Sequence, residues 1–307
     1  MSTLASDRRS ARIARTAGER ARRRKNLRAA TLFLLPALSF LVIFRLAPIV
    51  IVVRDSFRGT GEWVGLENFR FLFESGVFRE SLLVTLRFNL IVNPLQVTIA
   101  FVLALAIADG ARRPGLWQTL NLLPIAVPLA VSAVVWGVAF RPDDGIVNAV
   151  LAAVGLPDQP WLTSPDQALM AIIILASWVG VGYWSLFLVA GLHQITPSVV
   201  EAAALDGAGY WRTFRSVRLP LMRRALAFVL VADTVVNLLL FAPIQILTRG
   251  GPEGSTNVAM FDAYRTAFVF DDLALAAAQT VLLIAVVLLI VAVQFRLLNA
   301  PSVGDES

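Results

Sequence analysis

Asp233 and Asn237 stand four residues apart inside an apolar stretch, 223–247, so one turn of helix would put both on one face. An ionisable side chain in hydrocarbon is costly and normally faces a pathway, a cavity or a partner. The chemistry open to this pair is hydrogen bonding and charge pairing. Two uses compete: contact with a solute, or a buried ion pair between Asp233 and Arg87 of an earlier apolar segment. Asn89, Asn93 and Gln96, around Pro94, suit helix-to-helix hydrogen bonding and relief of a proline kink. Covalent and metal chemistry have little to work with. The chain has no cysteine, and His193 is its one histidine, with no Asp, Glu or Cys beside it, so neither a nucleophile–base pair nor a metal ligand set is expected. Lys25 is the only lysine and no G-x-x-x-x-G-K-[ST] loop occurs, which excludes a phosphate-binding loop of that form. The expectation is a non-catalytic chain that binds no cofactor or metal of its own.

The elements that must position these residues are membrane helices. The chain is 57% hydrophobic with a mean hydropathy of +0.72, more apolar surface than a soluble domain could bury. Six segments, near 29–53, 81–108, 118–140, 168–192, 223–247 and 273–297, have the roughly 20 apolar residues that span about 30 Å of hydrocarbon. Arg and Lys number 18 in the N-terminal tail, the loops 109–117 and 193–224 and the C-terminal side, against 7 in the alternate loops. The positive-inside rule then puts both termini in the cytoplasm. The net charge of +6 comes largely from the run Arg8 to Arg28, a juxtamembrane basic tail rather than a nucleic-acid surface. Segment 29–53 is too long for a cleaved signal peptide and lacks its small-residue cleavage site, so it is expected to be a retained helix. Outer loop 141–167 is turn-rich, with one short helix expected at Ile146–Val154.

One polar loop carries a distinct pattern: Glu201-Ala202-Ala203-Ala204-Leu205-Asp206-Gly207, then Trp211, Phe214 and Leu219-Pro220. The alanines favour a short helix starting near Pro197-Ser198, with Glu201 at its positive end. Gly207 and Gly209 offer the backbone that ends such a helix. Trp211, Phe214 and Val217 recur at helical spacing beyond it. An amphipathic loop lying on lipid, with Arg212, Arg215 and Arg218 toward anionic headgroups, fits the same amphipathicity.

The full pattern resembles the coupling loop, E-A-A-x-x-x-G followed by L-P, of permease subunits of binding-protein-dependent ABC importers. The resemblance covers roughly 29–299. It includes Gly65-Leu66-Glu67-Asn68-Phe69, Leu123-Pro124, Pro128, Trp136, Gly145, Asn148, Ala190-Gly191-Leu192, Gly250-Gly251-Pro252 and Tyr264-Arg265-Thr266-Ala267-Phe268, landmarks similar to those of carbohydrate-uptake permeases of the maltose and glycerol-phosphate type. Arg45 before Leu46-Ala47-Pro48 and Thr196-Pro197 depart from the usual residues without touching the coupling pattern. The resemblance implies an all-α polytopic fold of six transmembrane helices, the type I importer permease fold, in the bacterial cytoplasmic membrane. It implies a basic tail at 1–28, a permease domain at 29–299 with coupling loop 193–222, and a short tail at 300–307. It assigns Glu201, Ala202, Ala203, Asp206, Gly207, Leu219 and Pro220 to ATPase coupling. Gly180, Tyr183, Asp233 and Asn237 match sugar-site positions of the maltose permease, with Asp233 where that protein has a hydroxyl and Leu240 where it has an amide. Trp178 and Trp184 flank the first two, and aromatic faces with hydrogen-bonding groups are what a polyol needs; each aromatic could equally pack helices or sit in the interfacial belt. The implied partners are a second homologous permease subunit in a heterodimer, two ATP-binding subunits that hold ATP and Mg, an extracytoplasmic solute-binding protein, membrane lipid and a sugar, with no nucleic acid. Glycerol phosphate, a glycerophosphodiester or a polyol is the alternative cargo. An ion-coupled secondary transporter would be expected to show repeat halves, and 29–140 and 168–297 show no evident repeat.

Overall fold

In the computed structural model the described residues are 26, 30–59 and 61–298; the remainder of the basic tail and the tail at 300–307 lie outside them. The chain divides into two units, 1–55 and 56–307. The first contributes one apolar helix, α1 (Ala30–Asp55). Its turn widens to a π-turn at Val42–Leu46, just before Pro48, which cannot donate a backbone hydrogen bond.

The second unit is helical, and its β-content among the described residues is one isolated bridge, Arg58 to Trp63. The Asn68 amide pins that turn by donating to the carbonyls of Ser56 (3.0 Å) and Arg58 (2.8 Å). Helix α2 (Glu67–Glu74) leads into α3 (Val77–Gly110), about 50 Å long at 1.5 Å per residue and unbroken at Pro94. Helices α4 (Pro114–Ala126) and α5 (Leu129–Ala139) follow. They divide the expected span at 118–140 into two helices, because the chain turns by 89° between them. Val127 precedes Pro128, and the proline ring pushes it out of the helical region to φ −87°, ψ 127°.

Short helix α6 (Ile146–Ala153) matches the outer-loop expectation. Helix α7 (Ala168–His193) is central and packs along α3 and against α4 and α10. It meets α4 backbone to backbone. A methyl at Gly182 would fall 1.7 Å from the Asn121 carbonyl oxygen, a distance only glycine permits. Beyond α8 (Pro197–Leu205), α9 (Tyr210–Thr213) runs through a π-turn (Phe214–Arg218) into α10 (Leu219–Leu238). The chain breaks at 239–241 before α11 (Ala242–Leu247), so the fifth apolar segment is two helices. Helices α12 (Ala259–Phe268) and α13 (Leu273–Leu298) complete the unit. Five helical stretches of the described residues are long and apolar enough to cross a membrane, and the bent pair α4–α5 makes six.

Two apolar clusters form most of the core. One includes Phe88, Val92, Leu240 and Ile244, the other Ala100, Trp184, Met222 and Val229. Between Val92 and Ala100 on α3, and between Val229 and Leu238 on α10, the buried residues are polar.

Candidate translocation site and coupling element

Along α3 a polar ladder climbs one face at four-residue steps. Thr85 Oγ1 donates to the Ser81 carbonyl (2.7 Å), Asn89 Nδ2 to the Thr85 carbonyl (2.9 Å) and Asn93 Nδ2 to Asn89 Oδ1 (3.2 Å). At Asn93 the ladder crosses to α10. Asn93 Nδ2 also donates to Thr234 Oγ1 (3.0 Å), while Asn237 Nδ2 donates to Asn93 Oδ1 (2.8 Å), Asp233 Oδ1 (3.0 Å) and, more weakly, Gln96 Oε1 (3.4 Å). From α13, Gln294 Nε2 donates to Thr234 Oγ1 (2.9 Å). Asn93, Gln96, Asp233, Thr234 and Asn237 are each 6% exposed or less.

The network is incomplete. Gln96 Nε2, Asp233 Oδ2 and Gln294 Oε1 have no hydrogen bond of good geometry, although the Trp184 indole approaches Asp233 closely enough to act on its carboxyl group. An unmade bond at a buried polar atom costs about 1–3 kcal/mol. A hydroxyl brought among these atoms could both donate to the carboxyl oxygen and accept from the amide.

Asp233 and Asn237 therefore share a face as expected, and Asn93 bridges helices as expected. Gly180 backs onto the same layer: a methyl there would lie 2.7 Å from Gln96 Oε1. Tyr183 is half-buried in an aromatic group, edge-on to Trp184 (4.8 Å) and Phe187 (5.1 Å). Among the described residues no hydrogen bond joins it to the amides. The pairing of Asp233 with Arg87 is not formed. Arg87 is exposed on α3 and makes no ion pair among the described residues, while Asp233 Oδ1 is taken by Asn237. Thr234 and Gln294 were not anticipated. The available signal for Gln294 was an amide in the apolar run 273–297.

A second buried acid lies outside the spans. Asp262 on α12 accepts from Asn257 Nδ2 (3.2 Å) and Gln279 Nε2 (2.8 Å). Burial pushes its carboxyl above the ordinary range, opposed by those two donors and by the Arg265 charge.

At the other end of α7, α8 begins at Pro197 with Thr196 as its extended cap. Its end is a paired-carbonyl glycine stop: Ala208 N–H donates to the Ala203 carbonyl (2.9 Å) and Gly207 N–H to that of Ala204 (3.0 Å), with Gly207 at φ +76°. Two expectations are corrected here. Glu201 is past the first turn, so the helix dipole does not hold it. Gly209 is extended, at φ −68°, ψ 172°, and the stop falls to Gly207 alone. Glu201, Ala202, Asp206, Gly207, Leu219 and Pro220 are exposed and Ala203 is half-buried. Beside them Leu205, Tyr210 and Trp211 are 89%, 58% and 69% exposed, a compact apolar knob.

A family model described as "Binding-protein-dependent transport system inner membrane component" matches residues 96–301, which include Gln96, Asp233, Asn237 and the knob. The chain belongs to that family. As a permease of this family it is a multi-pass membrane protein and a translocation component of an ABC importer. It is 36% identical over 245 residues to the sn-glycerol-3-phosphate transport system permease protein UgpA of Pectobacterium atrosepticum, covering 79% of this chain and 82% of that one. With the protein of the same name from Yersinia pseudotuberculosis it shares 35% over 274 residues, 86% of this chain and 92% of the relative. The permease superposes on a chain of a crystal structure of a bacterial ABC transporter involved in the import of the acidic polysaccharide alginate, with a TM-score of 0.81. That match covers 92% of this permease and 98% of the other chain at 24% identity, a likeness of fold.

Proposed function

We propose that this permease carries a neutral sugar or related polyol inward, past the polar layer that Asn93, Gln96, Asp233 and Asn237 form between α3 and α10. The observation that carries the reading is the unfinished hydrogen-bond network, an acceptor at Asp233 Oδ2 and a donor at Gln96 Nε2 in a buried layer. A polyol supplies both complements from each hydroxyl, and the aromatic group around Tyr183 and Trp184 suits its C–H faces. Of two separate ATP-binding subunits, which hold ATP and Mg, one docks on the knob formed by α8 and α9. A second homologous permease subunit and an extracytoplasmic solute-binding protein complete the importer. The charge asymmetry of 18 against 7 supports a cytoplasmic position for both termini and the knob.

Glycerol phosphate is the second reading, favoured by the names of the relatives at 35–36% identity. Against it, no arginine or lysine bonds to the polar layer among the described residues. A phosphate dianion calls for cations or a cluster of free N–H donors. Uptake into vesicles containing the assembled importer decides between them. Excess neutral sugars and polyols should compete with the transported solute, and sn-glycerol 3-phosphate should not. Competition by the phosphate ester alone would reverse the assignment.

Orientation has its own test, because the chain contains no cysteine. With Ser255→Cys, an impermeant thiol reagent should label from outside; with Ser216→Cys, it should label only after the membrane is opened. The reverse pattern would invert the permease and move the ATPases to the other face.

A further inference from the structure

Five ion pairs occur among the described residues. Four are exposed and join residues no more than four apart: Arg54–Asp55, Arg70–Glu74, Arg79–Glu80 and Arg141–Asp144. The fifth, Arg218–Asp109, bridges 109 residues, and its side chains are only 20% and 33% exposed. Asp109 is badly placed for its own helix, in the last turn of α3, where the dipole favours cations. Arg218 lies inside the continuous helical run from Tyr210 to Leu238, at the π-turn where α9 passes into α10. Local helix stability therefore does not explain Asp109. The pair does.

Its position adds a mechanical meaning. Asp109 terminates the helix that carries Asn93 and Gln96, about 20–24 Å away along α3 at 1.5 Å per residue. Arg218 ends the π-turn of the knob and leads directly into the helix that carries Asp233 and Asn237. The two helices that share the polar layer are thus tied a second time, at the knob. Beside the tie lies a cavity of about 280 Å³ lined by Asp109, His193, Pro197, Glu201 and Arg218, so α8 is not packed solidly against the span ends.

We propose that the Arg218–Asp109 pair is a strap that makes α3 and α10 follow the knob as one body, passing ATPase movement to the polar layer. The strap rests on the reading of α8 and α9 as the ATPase-docking element. Arg218 and Asp109 act as positioning residues and do not touch solute.

The test uses the assembled importer carrying Asp109→Asn, Arg218→Gln, or the exchange Asp109→Arg with Arg218→Asp. Both single variants should keep basal ATP hydrolysis while uptake falls roughly five- to tenfold, the scale of an ordinary inter-site coupling. ATP hydrolysed per solute should rise by the same factor, and the exchange should recover most of the loss. An unchanged ATP-to-solute ratio in the single variants would overturn the strap, as would an exchange variant that assembles without recovering. Asp109→Cys with Arg218→Cys covers the case in which the single variants do not assemble. A disulfide or short bifunctional thiol link between the two cysteines should preserve uptake, and uptake that stops on linking means that the pair must part during transport, which would also end the proposal. If Gly207→Asp leaves uptake intact, the docking element is misplaced; if it uncouples while the strap variants do not, the strap falls alone.

Discussion

Gly207→Asp should abolish solute-stimulated ATP hydrolysis and uptake while the permease still inserts in the membrane. Gly207 holds φ +76° at the stop of α8, a conformation that costs an L-residue roughly 1–2 kcal/mol. That strain is modest, and a Cβ at this position meets nothing within 4 Å, so the helix and the fold survive the change. What the aspartate alters is the docking surface. It places a charge between the exposed Leu205 and the Tyr210–Trp211 pair, where an apolar contact with an ATPase would have to desolvate it without a partner. Gly207→Ala brings the backbone strain without the charge and should retain part of the activity. Wild-type uptake by Gly207→Asp at normal expression would remove this loop as the coupling element.

The helical membrane fold was legible because length and hydropathy report burial in lipid directly, and helix α8 because proline, alanines and glycine mark its start, body and stop. The 89° turn at Val127-Pro128 was written in the sequence too. A window of hydropathy averages over it, since Val127 is as apolar in extended backbone as in a helix. The phase of Arg87 was likewise available. It stands two residues from both Thr85 and Asn89, hence on the opposite side of a helix from the ladder they belong to, and it could not reach Asp233 from there. Thr234 and Gln294 were hidden for a different reason. A threonine in a helix can satisfy itself, as Thr234 does by donating to the Leu230 carbonyl (2.7 Å), and only the packing of α10 against α3 and α13 turns its oxygen into a junction. The strap was equally invisible, because Asp109 and Arg218 look like ordinary loop charges until the fold brings them together across 109 residues.

Asp233→Ala should cut transport by one to two decades in apparent solute affinity with the complex still assembled. Asp233 Oδ2 makes no hydrogen bond of good geometry within the polar layer, and a hydrogen bond to a charged acceptor contributes about 1.5–3 kcal/mol net, which is that range of affinity. Assembly should persist because the remaining partners are not stranded: Asn237 Nδ2 keeps Asn93 Oδ1 at 2.8 Å. Asn237→Ala should lower transport as well. It also removes a link between α3 and α10, so its assembled fraction should be measured beside uptake. Asp233→Asn keeps shape and one acceptor and should fall between wild type and alanine. Adding Arg87→Ala to Asp233→Ala separates the two uses open to the acid. If Asp233 contacts solute, the double variant transports no better than Asp233→Ala alone, since Arg87 is exposed and was never its partner. Lost assembly in Asp233→Ala, restored with full uptake by Arg87→Ala, would instead make Asp233 structural and remove it from the translocation path.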